Sequence, residues 1–203
     1  SGLGKVTSVD FSWYLDVFHG ADYFRRWHRL KSRSGSLWLH KATHHFDLVN
    51  WWLGADPVDV SATSSLRRYG KNGIVRGSHC RECPHRGSCE FYFDLTKDAR
   101  LMALYAGPAG ADGYLRDGCV FREDVDIWDT MNAVVTYSNG TQMSYSLNAF
   151  MPFEGFRIAF NCEKGRIEVR DWERQAWDVP YETEILVARS FQKEPERMTL
   201  QRR

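Results

Sequence analysis

The sequence lacks long hydrophobic runs and a surplus of either charge. No apolar stretch approaches the roughly 18 residues that a membrane-spanning helix requires. Lys and Arg number 27 against 26 Asp and Glu, and the resulting formal net charge of +1 creates no global field that would attract a nucleic acid or an anionic membrane. Because 43% of the 203 residues are apolar, the chain can bury a core. We therefore expect a soluble globular protein without nucleic-acid or membrane partners.

Several nucleotide-binding and hydrolase motifs are also missing. No Gly-x-Gly-x-x-Gly follows a predicted strand, and the spaced glycines Gly107, Gly110 and Gly113 lie in a segment without periodicity. The Walker A sequence and the Gly-x-Ser-x-Gly nucleophile elbow are absent as well. By itself, the chain is therefore not expected to bind a dinucleotide in the Rossmann manner.

The first residues lack an initiator Met and the basic and apolar regions of a signal peptide. Residues 1–5 lead within a few positions into an alternating segment that is typical of a strand. We therefore expect the chain to be a piece of a longer protein or a mature fragment.

Local patterns in the first half predict two strands and a helix. Residues 9–16 alternate apolar and polar side chains as a half-buried strand does, and residues 58–63 repeat this pattern. Residues 41–53 carry apolar side chains at helical spacing, and Gly54 followed by Pro57 marks the end of that helix. Weaker patterns predict a loop or short helix over 19–28, a helix over 94–105 and a long loop over 107–118.

The second half predicts hairpins. Asn139-Gly140 separates the alternating runs 131–137 and 143–149, and this dipeptide between such runs is the strongest short-range hairpin signal. Further patterns predict a second hairpin over 156–160 and 166–169, a short strand over 184–187 and a loosely held tail over 190–203. Together the two halves indicate one α+β domain over residues 1–203, in which a large open, mostly antiparallel or mixed sheet carries its helices on one face.

The densest group of titratable side chains begins at His40 and ends at Asp47. On a helix, His40, His44 and Asp47 share one face. Lys41 and His45 form an adjoining stripe. A zinc site is disfavoured here because Lys41 stands where the His-Glu-x-x-His motif has its glutamate. We therefore predict acid–base chemistry in this group, against the alternative of a solvated helix face.

Five cysteines are an odd number for a chain too large to need disulfide staples, so we expect reduced thiols and a cytoplasmic location. Cys80, Cys83 and Cys89 are spaced as in structural tetrahedral zinc sites. Cys119, which follows the long loop, is the predicted fourth ligand. Free thiols, a disulfide or an iron–sulfur cluster are the alternatives. Cys162 stands alone, which indicates a packing residue.

Aromatic residues are abundant, at 14% of the chain with 8 Trp. Because Trp is costly to bury without a partner for its N–H, some of these rings should line a groove or an interface. The candidate sugar-binding residues are Arg25, Trp27, His45, Tyr145 and Asn148. For Tyr145, packing on a sheet face is the alternative.

Five segments of the sequence follow one family pattern. Residues 34–37 run into residues 40–54, His-Lys-Ala-Thr-His-His-Phe-Asp-Leu-Val-Asn-Trp-Trp-Leu-Gly, and the later segments are 145–150, 152–155 and 164–168. Together they resemble the Gfo/Idh/MocA family, the relatives of glucose-fructose oxidoreductase and inositol dehydrogenase. The resemblance covers nearly all of the chain and corresponds to the family's C-terminal substrate and oligomerisation domain with its open sheet. The family's N-terminal Rossmann domain is missing.

The resemblance implies NAD(P)-dependent hydride transfer on a sugar, a cyclitol or a derivative, with the cofactor held mainly by the protein's own Rossmann domain. It places the histidine of the family's Asp-x-x-x-His pattern at His44. His40 replaces the aspartate of that pattern, and Lys41 takes over part of its role. The family's other catalytic residue, a lysine in a Glu-Lys-Pro segment, belongs to the missing domain, so the chain alone is expected to be inactive. The open sheet also implies homo-oligomers through sheet-to-sheet packing.

Two other functions fit the same residues. One is a zinc-stabilised binding or assembly module without catalysis, which the replacement of the aspartate by His40 permits. The other is a hydrolase or lyase that uses NAD for a transient oxidation, as some members of the family do.

Overall fold

The computed structural model describes residues 2–179 and 182–201. Within them, the helices are α1 (His19–Arg25), α2 (Lys31–Ser34), α3 (Ser36–His40), α4 (Ala42–Leu53), α5 (Ala99–Leu101) and α6 (Ala109–Asp112). The strands are β1 (Val6–Asp16), β2 (Pro57–Ser65), β3 (Thr130–Tyr137), β4 (Gln142–Met151), β5 (Phe153–Cys162), β6 (Gly165–Gln175), β7 (Glu182–Arg189) and β8 (Glu196–Gln201). No helix in the described part of the chain is long and apolar enough to cross a membrane.

The described strands form one mixed sheet. Their order is β2-β3-β4-β1-β5-β6-β7-β8. β1 pairs in parallel with β4, and the other neighbouring pairs are antiparallel. The predicted α+β class with a large, open, mostly antiparallel sheet is therefore confirmed.

Two helices, α1 and α4, cover the same face of this sheet. Phe11 of β1 pairs with Tyr145 of β4, and both rings contact His45 of α4. On α1, a Cβ atom at Gly20 would lie 1.9 Å from the Ala149 carbonyl oxygen, so only glycine allows this close approach. Ala149 and Tyr145 lie on one face of β4 because side chains alternate along a strand. The buried core therefore lies between these helices and the sheet.

The opposite face of the sheet, the polar face, carries polar side chains on β1, β4, β5 and β6. Ser12 Oγ and Ser146 Oγ lie 3.0 Å apart, and Arg157 donates two hydrogen bonds to Glu168, of 2.8 and 3.0 Å. Val134 is the exposed hydrophobic residue of β3 on this face. Tyr14, on the same face as Ser12, contacts Phe153 with ring centroids 5.0 Å apart, so aromatic rings adjoin these polar side chains. Sheet-to-sheet association between copies stays a prediction.

The strongest local signals of the sequence are confirmed. The predicted helix over 41–53 is α4, Ala42–Leu53. Gly54 ends it in the left-handed conformation at φ +57°, and its N–H bonds to helix carbonyls, as a C′ glycine does. The two predicted hairpins are β3–β4 and β5–β6.

The segment 94–105 is not the single helix that the sequence predicts. It contains a 3₁₀ turn at Leu95–Lys97, then α5, then a π turn at Met102–Ala106. The side chains of Asp94 and Asp98 each accept a backbone N–H at the start of a turn. Two such caps four residues apart begin two separate turns, which interrupts the helix.

Two predicted irregular segments contain regular structure. In the tail predicted over 190–203, β8 pairs with β7, with Val187 opposite Glu196. Hydrogen bonds between main chains hold this edge strand in the sheet. Such bonds do not depend on the side chains, so the sequence did not predict them. Residues 202–203 lie outside the described residues. The loop predicted over 107–118 contains the short helix α6.

Candidate active site

The three predicted catalytic residues meet where α3 ends and α4 begins. His40 is the last residue of α3, Lys41 links the two helices, and His44 lies in the first turn of α4. Lys41 has φ −121° and ψ −51°, which breaks the helix between His40 and His44. The two histidines therefore do not share the single helical face that their spacing predicts. Both histidines are exposed, and His40 also contacts a cluster of rings.

His40 belongs to a row of rings from α1 and the turn after it. Its ring centroid lies 4.3 Å from that of His28, 5.7 Å from that of Trp27 and 5.7 Å from that of Tyr23. Burial and the charge of Arg26 lower the pKa of His40. Burial and the neighbouring His40 lower the pKa of His28 to about 4. Both imidazoles are therefore neutral at neutral pH, which is the form that accepts a proton.

A hydrogen-bonded pair at the other end of this row was missed by the sequence analysis. His19 Nδ1 lies 2.7 Å from Glu154 Oε1, and the His19 ring stacks on Tyr23 with centroids 5.4 Å apart. Since Tyr23 also contacts His40, a continuous row of rings connects the Glu154 carboxylate with His40. The sequence feature that could have pointed to this pair is the segment 152–155, which contains Glu154 and carries part of the family resemblance.

The Lys41 ammonium group lies over the Trp13 ring, 4.8 Å from its centroid. Burial and the charge of Glu154 raise the pKa of Glu173, while the charges of Lys41 and His19 lower it. Lys41 therefore acts electrostatically on the same acidic residues that surround His19. A cation fixed at such a position can stabilise a developing alkoxide.

Three of the predicted sugar-binding residues serve the protein interior. His45 and Tyr145, each 2% exposed, share a 2.7 Å hydrogen bond between Nδ1 and Oη. Burial and the charge of Lys41 lower the pKa of His45 to about 3, so this imidazole is neutral. Arg25 is buried and donates a hydrogen bond to Cys80 Sγ. Packing occupies these side chains, and their role as sugar contacts stays a prediction.

The other two predicted sugar-binding residues lie on different surfaces. Asn148 and Tyr145 are three positions apart on β4, so they point to opposite faces of the sheet. Asn148 therefore lies on the polar face, away from α4. Trp27 lies beside the ring row, where it stacks on His28 with centroids 3.8 Å apart and contacts His40. The predicted sugar-binding residue Trp27 therefore contacts the predicted catalytic residue His40.

The four predicted zinc ligands surround one narrow cavity. Cys80, Cys83, Cys89 and Cys119 line a space of about 10 Å³. Their thiols are free, and no three His, Cys, Asp or Glu side chains among the described residues are arranged to hold a metal ion. Burial raises the pKa of Cys80, whose sulfur accepts the hydrogen bond from Arg25. The fold thus gathers the four thiols without forming the predicted ligand cluster.

Comparison with known proteins assigns the family. Residues 1–185 match the family described as "Oxidoreductase family, C-terminal alpha/beta domain" of the Gfo/Idh/MocA proteins. The chain belongs to the Gfo/Idh/MocA family. "Putative oxidoreductase YteT" of Bacillus subtilis (strain 168) is 41% identical over 183 residues, which cover 84% of this chain and 43% of that protein. The chain therefore spans less than half the length of this curated Gfo/Idh/MocA relative.

Solved structures share the fold of this Gfo/Idh/MocA chain. Levoglucosan dehydrogenase, solved in complex with NADH and levoglucosan, has a TM-score of 0.58 at 14% identity, and the match covers 98% of this chain and 40% of that chain. A 3-ketoreductase from Actinomadura kijaniata, solved with NADP and TDP-benzene, has a TM-score of 0.53 at 12% identity, with 98% and 42% covered. At these identities the likeness shows the fold alone.

Proposed function

We propose that this chain is the substrate domain of an NAD(P)-dependent oxidoreductase that transfers a hydride to or from a sugar, a cyclitol or a derivative. Family membership supports the oxidoreductase class. The NADH-bound levoglucosan dehydrogenase and the NADP-bound 3-ketoreductase support the cofactor and the kind of substrate. The observation that carries the proposal is the exposed His44 beside Lys41 at the junction of α3 and α4.

His44 is the proposed general base. Its imidazole is exposed and forms no hydrogen bond with another described side chain, so it is free to contact a substrate. A hydroxyl group must lose its proton when its carbon gives up a hydride, and a neutral imidazole suits this step at neutral pH. Lys41 donates a hydrogen bond to the developing alkoxide. His40 packs beside them in the position of the family's aspartate.

NAD(P), when bound, accepts or donates the hydride. A dinucleotide needs a glycine-rich turn between a strand and a following helix. In this chain β1 leads into α1 through Val17-Phe18, which contains no glycine, and the other described strands are not followed by such a turn and helix. The described residues therefore do not fit a dinucleotide cradle, and a part of the protein outside this chain would hold the cofactor.

The chain alone is expected to bind neither NAD⁺ nor NADP⁺ measurably, because it lacks this cradle. Isothermal titration calorimetry on residues 1–203 should give no binding heat with either nucleotide, while the full-length protein should bind one of them. Tight stoichiometric binding by the isolated chain would contradict the prediction.

An assay of the full-length protein tests the function itself. Nicotinamide reduction, followed at its absorbance band against a panel of sugars and cyclitols, should show turnover with at least one of them. Hydrolysis or elimination without net nicotinamide reduction would instead favour the hydrolase or lyase alternative. Homo-oligomerisation and a cytoplasmic location stay predictions.

Zinc at the four-cysteine cavity also stays a prediction, since the thiols are gathered without forming a ligand cluster in the described part of the chain. A zinc-stabilised module requires about one zinc per chain by the tetrahedral four-ligand rule. Cys83→Ser should then lower both the zinc content and Tm, while Cys162→Ser, away from the cavity, should change neither. Metal-free protein with an unchanged Tm in Cys83→Ser would refute the site.

A further inference from the structure

A groove of about 710 Å³ beside Trp27 is lined by arginine side chains. Five of them, Arg25, Arg26, Arg29, Arg33 and Arg122, line its walls. Its volume falls within the roughly 300–1,000 Å³ of small-molecule sites. Two of its lining residues, Arg25 and Trp27, are candidate sugar-binding residues of the sequence, whereas Arg122 comes from a segment that is distant in the chain.

Carboxylates near the groove do not neutralise its charge. Asp112 lines the groove and Asp124 pairs with Arg29 and Arg122, so these two carboxylates leave three of the five positive charges in excess. Asp124 accepts three hydrogen bonds from Arg29, of 3.0, 3.0 and 2.6 Å. Arg33 is exposed and forms no ion pair among the described residues, whereas Arg122 Nε lies 3.8 Å from Asp124 Oδ1. Burial and the charge of Arg29 lower the pKa of Arg122, as crowding of like charges does.

Trp27 connects the groove with the candidate active site. Its ring lines the groove, stacks on His28 at 3.8 Å and contacts His40 edge-on at 5.7 Å. An indole ring of this kind packs on the apolar face of a sugar. Arg26 donates from Nε to Tyr114 Oη at 2.9 Å, and its terminal nitrogens have no hydrogen-bond partner in the described part of the chain. A planar ring and unpaired guanidinium groups therefore face one space.

We propose that this groove binds a sugar that carries an anionic group, a carboxylate or a phosphate. Trp27 packs on the sugar ring. Arg26 and Arg33 contact the anion, since the guanidinium fork matches both groups in a bidentate manner. The inference rests on the proposed function, because it names the substrate class of the site at His44. A nucleic acid is disfavoured because the chain as a whole carries a net charge of only +1.

Matched sugars test the anion requirement. Isothermal titration calorimetry on residues 1–203 would compare glucose, glucuronate and glucose 6-phosphate, and then galactose, galacturonate and galactose 6-phosphate. Within each series the compounds differ at C6 alone, as an alcohol, a carboxylate or a phosphate. At least one anionic sugar should bind roughly tenfold or more tightly than its neutral counterpart, because hydrogen bonds between charged groups are the strong ones. Whether the uronate or the sugar phosphate binds more tightly shows which of the two anionic groups the groove recognises.

Arginine variants test the location. Arg33→Ala and Arg26→Ala should each weaken binding of the anionic sugar roughly tenfold and leave the neutral sugar nearly unaffected. Arg100→Ala, an exposed arginine of α5 outside the groove, is the matched control and should change neither. Added NaCl should weaken binding of the anionic sugar, and this measurement does not depend on the folding of any variant.

The possible outcomes separate this inference from the proposed function. It is overturned if neutral sugars bind as tightly as the anionic ones in both series. It is also overturned if inorganic phosphate binds as tightly as the sugar phosphate, or if the arginine variants change KM for NADP⁺ in the full-length protein while leaving sugar binding intact. If the anionic sugar binds in an arginine-dependent way but the full-length protein reduces no nicotinamide, the groove stands and the proposed function fails.

Discussion

His44→Ala is expected to lower kcat of the full-length protein roughly 100- to 10,000-fold, the usual contribution of a general base. The loss falls on proton transfer, so KM for the nucleotide should stay nearly unchanged. Steady-state kinetics on the best sugar from the panel would measure both constants.

Two comparisons show whether this effect belongs to the active site. His85→Ala removes a histidine of the cysteine segment and should leave turnover unchanged. His40→Asp, which restores the family's pattern, should be tolerated better than His40→Ala. Near-normal turnover of His44→Ala would contradict the assignment of His44 as the general base. It would favour Lys41 in that role, or a helix face without a catalytic role.

Asp129→Ala is expected to lower the free energy of unfolding by roughly 3 kcal/mol, because several buried hydrogen bonds to a charged group lose their acceptor at once. Asp129 is fully buried and immediately precedes strand β3. Its carboxylate accepts the backbone N–H groups of Arg67, Arg68 and Tyr69, at 2.7 to 3.1 Å. Alanine leaves these amides without an acceptor in the interior. Urea denaturation followed by tryptophan fluorescence would measure the change.

The matched control is Asp59→Ala, an exposed aspartate on the neighbouring strand β2. Its free energy of unfolding should change by less than about 0.5 kcal/mol, as for most surface substitutions. Asp129→Asn keeps one acceptor oxygen and should fall between the two. A change below about 1 kcal/mol in Asp129→Ala would contradict the role of this carboxylate in holding the 65–69 segment.

The sequence was sufficient wherever a structure depends on neighbours along the chain. Helix α4 has its apolar spacing and its terminal Gly54 within one segment, and the β3–β4 hairpin has Asn139-Gly140 between two alternating runs. These elements and the family could therefore be predicted. Helix α4 was predicted to start at Lys41, but the residue's non-helical conformation separates His40 from His44, and spacing alone does not reveal such a break.

The candidate site shows the same division. The sequence identified His40, Lys41 and His44 because they are adjacent titratable residues. It did not identify the partner of His19, since Glu154 lies 135 positions further along the chain. The burial of His45 under Tyr145 likewise depends on how α4 packs against β4. A side chain's exposure follows from packing, which helical spacing does not specify.

By itself, the sequence determined the α+β class, helix α4, the two hairpins, the family and the cluster at the start of α4. The tertiary structure alone decided the parallel pairing of β1 with β4, the edge strand β8, the His19–Glu154 pair and the groove that brings Arg33 to Arg122. The physical reason is the range of the contacts. Periodicity, caps and turns depend on residues that are a few positions apart. Sheet order and charge clusters arise when distant segments pack together, and no local sequence pattern specifies which segments do so.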